Sequence, residues 1–190
     1  MTQTATYTVE AFVEDVRAIF ASTEDPHAQA QGAANHLKAL LAVPGWLEEK
    51  LNIPGEGGYG RFELHLDEEY GLPGPGFWLM CSIQTDGQES PVHDHGVAWV
   101  IYGVYEGAIE QSKWRWFYKG EGVESTQIKQ FGKFIQNDRT VAFFLPGEIH
   151  KTLNVAGGRS IVVRLESQKL DRITRYQYDP IDNSVKVMNR

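Results

Sequence analysis

His93 and His95 stand two positions apart in the stretch Pro-Val-His-Asp-His-Gly that begins at Pro91, just ahead of the apolar run 97–104. Along an extended strand, residues i and i+2 share a face, so two imidazoles at this spacing can close on one metal ion without bending the backbone. Six histidines in the chain make one such pair easy to obtain by chance, and two surface histidines are the plain alternative. The context favours ligation. Pro91 opens the segment, β-branched and aromatic residues follow, and Gly103 and Gly107 punctuate it.

Two imidazoles hold a catalytic metal poorly, so a third ligand is expected farther along. His150 is the strongest candidate: Pro146-Gly147 makes a tight turn ahead of it, and the strand it begins would carry its ring into a barrel from the opposite hairpin. A polar residue at a strand edge is the alternative here. Three neutral histidines cap one face of a metal and leave other positions open.

The composition limits what else could do chemistry. Cys81 is the only cysteine, so thiolate clusters and intrachain disulfides are excluded and any metal must take His, Asp or Glu. Cys81 lies in an apolar run and reads as a buried structural thiol. A net charge of −7 without a basic run lacks the electrostatic footprint of nucleic-acid binding. The sequence carries neither an apolar run of membrane-spanning length nor the pattern of a secretory signal, which points to a cytoplasmic protein without a membrane partner. No phosphate loop and no nucleophile elbow is present.

The elements that must position the histidines follow from periodicity. Val9, Phe12, Val13, Val16, Ile19 and Phe20 recur at helical spacing behind the cap Thr8. A second helix starts at Asp25-Pro26, runs through Leu41 and ends at Pro44-Gly45, and a short third follows at 46–51. His27 and His36 belong to this region and read as surface or boundary residues. After a glycine-rich connector at 54–60 the period changes. Strand-like pieces fall at 61–66, 77–83, 97–104, 114–118, 127–128, 131–135, 140–145, 151–155, 160–165 and 173–178. We read one domain, 1–190, mainly β, with a helical segment at 8–51 and a β-barrel at 59–180. Of Trp78, Trp99, Trp114 and Trp116, core packing is the ordinary fate and pocket lining the alternative.

Gly87, His93-x-His95 and Gly107 match the first motif of the cupins, and Pro146-Gly147-x-x-His150 with Asn154 matches the second. Val100 stands where the first motif usually has glutamate. A three-histidine cupin lacking that glutamate resembles the cysteine dioxygenase (thiol dioxygenase) family. The resemblance spans most of the chain, from the leading helices through Tyr59-Gly60-Arg61 to the tail with Leu170-Asp171 and Tyr178-Asp179-Pro180. It implies a double-stranded β-helix (jelly-roll) barrel after N-terminal helices, and a mononuclear Fe(II) held by His93, His95 and His150. Arg61 takes the place of the family's arginine that binds the substrate carboxylate, for which a planar guanidinium is well suited. Imidazoles alone do not select iron, and Zn or Ni is compatible with the same ligands in purified protein.

One departure stands out. The family's Ser-x-His-x-Tyr relay aligns with Val162, Arg164 and Glu166, so the relay is missing. Two readings of this strand remain. The alignment turns Val162, Arg164 and Glu166 inward and puts a buried charge pair beside the metal, with a role in binding or proton handling. Hydrophobicity instead turns Ile161, Val163 and Leu165 inward. The functional expectation is an iron dioxygenase that converts a small carboxylate-bearing thiol to a sulfinate with O₂, acting as monomer or homodimer. Catalytic roles fall to Arg164 and Glu166. The alternatives are a three-histidine cupin acting on a non-thiol substrate, as another oxygenase, isomerase or hydrolase, and a non-catalytic small-molecule-binding cupin.

Overall fold

A computed structural model describes residues 6–53, 60–119 and 126–188. The connector expected at 54–60 lies outside the described residues as far as Tyr59. Helix α1 (Val9–Ser22) is capped by Thr8, whose hydroxyl accepts from the Ala11 amide at 3.2 Å, and it buries Val9, Phe12, Val13 and Val16. Helix α2 (Pro26–Ala42) starts where Asp25 accepts from the Ala28 amide at 2.9 Å and proline fills the first turn. Its stripe of Ala30, Ala33, Leu37, Leu40 and Leu41 is buried. Helix α3 spans Trp46–Lys50.

Eleven strands follow among the described residues: β1 (Gly60–Leu66), β2 (Trp78–Gln84), β3 (Val92–His93), β4 (Val100–Glu106), β5 (Ala108–Lys119), β6 (Thr126–Asn137), β7 (Val141–Phe144), β8 (Ile149–Asn154), β9 (Ser160–Glu166), β10 (Tyr176–Asp179) and β11 (Ser184–Val187). They pair antiparallel in two sheets, β1-β2-β9-β4-β7 and β11-β10-β3-β8-β5-β6. Without the flanking β1, β10 and β11, the order is β2-β9-β4-β7 opposite β3-β8-β5-β6. This is the jelly-roll order of two interlocked Greek keys, the double-stranded β-helix of the cupin fold. Among the described residues no helix is long and apolar enough to cross a membrane.

The five-stranded sheet is buried on both faces. Its outer face presents Leu79, Cys81, Ile83, Ile101, Ile161, Val163 and Leu165 to Phe12, Val16, Leu37, Leu40 and Leu41 of the helices. Gly103 on β4 allows the close approach of α2, since a β-carbon there would lie 2.7 Å from Leu41 Cδ1 and 3.0 Å from Leu37 Cδ2. The inner face carries Val100, Tyr102, Val104 and Val162, packed with Phe144 and Ile109. Alternation therefore turns Val162, Arg164 and Glu166 to the barrel interior. The simpler hydrophobic reading of β9 fails because the residues it turned inward face a second apolar layer, the helices.

Several strand boundaries differ from the sequence expectation. The apolar run at 97–104 is strand only from Val100, and β3 covers just Val92 and His93, so His95 stands beyond the strand. Strand β5 begins at Ala108, six residues before the aromatic run, because its inward Gln111 and its neighbour Ser112 give no hydrophobic signal. The two pieces at 127–128 and 131–135 form one strand, β6, carried through irregularities in register opposite β5. Strand β11 was not anticipated, and Ile173 lies outside β10.

Candidate metal centre

His93 on β3 and His150 on β8 are direct cross-strand partners, so their side chains share the inner face of the six-stranded sheet. His95 reaches the same place by a different device. The buried Asp94 carboxylate accepts from the Tyr178 hydroxyl at 2.6 Å and from the amides of Gly96 and Tyr176, each at 3.0 Å. Gly96 then turns at φ +58°, where a β-carbon would lie 2.1 Å from the Thr174 carbonyl oxygen. The pinned Asp94 and the turn at Gly96 direct His95 inward without a strand.

All three histidines are buried, and their ligand atoms lie within 4.8 Å of one another. His95 Nε2 and His150 Nε2 are 3.2 Å apart. The hydrogen-bond network fixes which nitrogens are free. His150 Nδ1 lies 3.0 Å from Gln111 Oε1, Gln111 Nε2 donates to Gln136 Oε1 at 2.9 Å, and Gln136 Nε2 donates to the Tyr102 carbonyl at 3.1 Å. This chain orients the Gln111 amide so that its oxygen accepts from His150 Nδ1–H, which leaves the Nε2 lone pair bare. His93 Nδ1 likewise donates to the Pro91 carbonyl at 2.8 Å.

This donor set fits a metal ion. Metal–imidazole bonds of about 2.1 Å at tetrahedral to octahedral angles place neighbouring nitrogens about 3.0–3.4 Å apart, and the His95–His150 pair falls in that interval. Oriented ligands whose remote nitrogens donate to carbonyl or amide oxygens are the usual surroundings of a bound metal. Burial, only partly opposed by the hydrogen bond to Pro91, pulls His93 down to about 4. Burial and the neighbouring imidazoles hold His95 and His150 well below the ordinary histidine range. The three rings are therefore neutral near pH 7, the state a metal requires.

A cavity of about 300 Å³ opens beside His93 and Tyr102, and Arg61, Arg164, Glu166 and Arg175 also line it. Arg61 sits on β1 with an exposed side chain that reaches this mouth. Arg164 Nη2 pairs with Glu166 Oε1 at 2.9 Å, and its guanidinium lies 5.2 Å from the Tyr102 ring centre. Burial raises the Glu166 carboxyl, against the opposing pull of Arg164 and the Leu170 amide. Among the tryptophans, Trp78 lines the cavity. Trp99 is core, Trp114 packs beside the small outer cluster and Trp116 is partly exposed. Val100, at the position where the first cupin motif usually has glutamate, is fully buried among apolar neighbours. Cys81 is buried in the helix-facing layer, with its thiol pushed up to about 12 by burial.

Sequence reasoning missed five contributors. The Tyr102 hydroxyl lies 3.2 Å from His95 Nε2 and 3.4 Å from His150 Nε2; its signal was the two-residue spacing from Val100. Gln111 and Gln136 were hidden inside strands read too short. Asp94 was passed over between two more conspicuous residues. Arg175 falls inside the piece at 173–178 that reads as strand, just ahead of where β10 begins, and nothing in its type or spacing sets it apart from a solvated position.

No family model matches the chain, and no curated protein matches it. Solved structures are similar to parts of it. The cupin domain of Schizosaccharomyces pombe Cnp3 is 13% identical over 63% of this chain and 67% of that one, with a TM-score of 0.44. An oxalate oxidase in complex with the substrate analogue glycolate is 16% identical over 67% of this chain, with a TM-score of 0.41; the match spans 60% of the oxidase. A protein with a double-stranded β-helix domain from Klebsiella pneumoniae is 15% identical over 76% of this chain and 89% of that one, with a TM-score of 0.41. At these scores the likeness says nothing about chemistry, which is read from the site.

Proposed function

We propose that this chain is a mononuclear non-haem iron dioxygenase that oxidises a small carboxylate-bearing thiol to its sulfinate, with both atoms of O₂ entering the product. The observation that carries this reading is the meeting of three buried, neutral imidazoles, one of which, His93, lines a small cationic cavity. His93, His95 and His150 are the proposed ligands. Bound Fe(II) would supply the Lewis acidity and the electrons that let O₂ react with a thiolate.

The remaining work belongs to the chain itself. Arg61 takes the substrate carboxylate at the cavity mouth and fixes its orientation. Arg164, held by Glu166, presents its free edge to the cavity. Burial keeps the Tyr102 hydroxyl protonated, against the lowering pull of Arg164, so its O–H stays available to donate where the imidazoles converge. The apolar wall of Phe144, Val100 and Val162 excludes water from that end. The partners in this reading are the small substrate and O₂, with no nucleic acid or membrane, and the site of action is the cytoplasm.

The occupancy of the relay positions favours a second reading. With Val162, Arg164 and Glu166 in place of serine, histidine and tyrosine, a non-thiol substrate acted on by Glu166 as general base is the competing chemistry. Oxygen consumption by anaerobically iron-loaded protein, given a panel of small thiols, separates the two. The dioxygenase consumes one O₂ per thiol and yields a sulfinate. No uptake with any thiol overturns it.

A further inference from the structure

The cavity carries more positive charge than one carboxylate can meet. Arg61, Arg164, Lys169 and Arg175 face it against Glu166 and Asp171, an excess of two positive charges. Glu166 already accepts at both oxygens, one from Arg164 and the other from the Leu170 amide at 2.9 Å. Lys169 lies over the Trp78 ring at 4.8 Å and within 3.9 Å of Glu63. Arg61 and Arg175 have no side-chain acceptor among the described residues, and the Nε atoms of Arg164 and Arg175 are buried without a partner. A guanidinium N–H taken out of water without an acceptor is costly, so these groups mark a place where an anion belongs. Burial and the neighbouring charge of Arg164 also pull Arg175 below the ordinary arginine range. The three neutral imidazoles bring no compensating charge, and a divalent metal would add to the excess.

The cationic groups form two poles. Arg61 on β1 pairs with Ser82, whereas Arg164 on β9 pairs with Met80, the next residue along β2 on that face. At roughly 4.8 Å between strands and 3.3 Å per residue, their backbones stand about 12 Å apart. One pole is at the mouth and the other lies deep beside Tyr102. A cavity of about 300 Å³ holds about ten non-hydrogen atoms at the roughly 30 Å³ that one water occupies in the liquid.

We propose that the cavity takes a short dicarboxylate, with one carboxylate held by Arg61 and the other by Arg164 and Arg175 together. A single monoanion leaves one pole bare, and a compact divalent head such as phosphate cannot span both. This deepens the proposed function, resting on the cavity being its substrate site and naming two carboxylates on the substrate; it does not depend on the thiol.

Calorimetric titration of the full chain with succinate, butyrate and inorganic phosphate tests this, on anaerobic iron-loaded protein and on chelator-treated protein. Succinate is expected to bind at least about tenfold tighter than butyrate or phosphate in both forms, the scale of one charge-assisted contact. Arg61→Gln and Arg175→Gln should each bring succinate close to butyrate, with thermal unfolding showing both variants folded. Succinate and butyrate within twofold of each other overturns the inference. So does phosphate binding as tightly as succinate, a preference seen only with iron present, or folded variants that keep it. Oxygen-silent protein that still prefers succinate supports the dicarboxylate site while removing the dioxygenase reading.

Discussion

The two sheets of the barrel obey different rules. The five-stranded sheet has an apolar neighbour on each face, the helices outside and the barrel interior within. The six-stranded sheet covers the barrel with its inner face only. Its outer face carries a small cluster around Val92, Ile128, Ile149 and Tyr178, while Phe117, Phe131 and Ile135 stay exposed on the β5–β6 ribbon. In the first sheet a polar inward residue is an exception that demands a reason, as with Arg164 and Glu166. In the second, polar residues are ordinary, and the proposed ligands His93 and His150 share the inner face with Gln111, Thr152 and Asn154. The first sheet supplies Arg61, Arg164 and Glu166 to the cavity, and the second supplies His93 and His150.

This division predicts that damage to each sheet has its own signature. The largest effect belongs to the six-stranded sheet: His150→Ala should drop bound metal from about one per chain towards zero and reduce turnover by at least about 10³-fold, since a metal contributes several kcal/mol to such chemistry. Elemental analysis and oxygen uptake on the same sample check it. A variant that keeps its metal would erase the distinction between the sheets.

On the other side, Leu41→Ala removes a fully buried side chain between α2 and β4. It should cost about 2–5 kcal/mol of stability in denaturant unfolding while leaving metal content intact. Gln111→Leu is expected to weaken metal affinity about 10–100-fold by freeing His150 Nδ1, as loss of an outer hydrogen bond does in other sites. Its unfolding midpoint should move far less than that of Leu41→Ala.

The smallest effect is a separation in pH. Burial holds His93 in the metal-free fold down to about 4 from an ordinary value of 6.5, so the unfolded chain binds the proton more readily. Stability from this group is present above 6.5 and is lost as pH falls towards 4. Burial pushes Asp67 up, but hydrogen bonds from the Tyr70 amide, Arg17, the Glu69 amide and His65 outweigh it and hold the carboxyl at about 2, against 3.8. Its stability, on the order of 2 kcal/mol, is present above 3.8 and is lost as pH falls towards 2. Acid unfolding of metal-free protein should show both windows, and Asp67→Asn should remove only the lower one.

The sheets also explain what the sequence disclosed. Helices α1 and α2 were legible because Thr8, Asp25 and Pro26 mark their starts and each has one buried stripe. The histidines were legible by type and spacing, although His95 owes its position to Asp94 and Gly96 rather than to a strand. The face of β9 was not legible, because Ile161, Val163 and Leu165 suit either side of a sheet buried on both. Gln111, Gln136 and Arg175 were hidden for the opposite reason: a polar residue in the six-stranded sheet, or just ahead of one of its strands, looks like any solvated position until the fold brings it inward.

The central claim is convergence of three imidazoles on one cation, and anomalous diffraction from crystals loaded anaerobically with Fe(II) tests it most directly. A single iron peak about 2.1 Å from His93, His95 and His150 alike is the predicted result. An iron bound elsewhere, or held by His95 and His150 with His93 turned away, contradicts it.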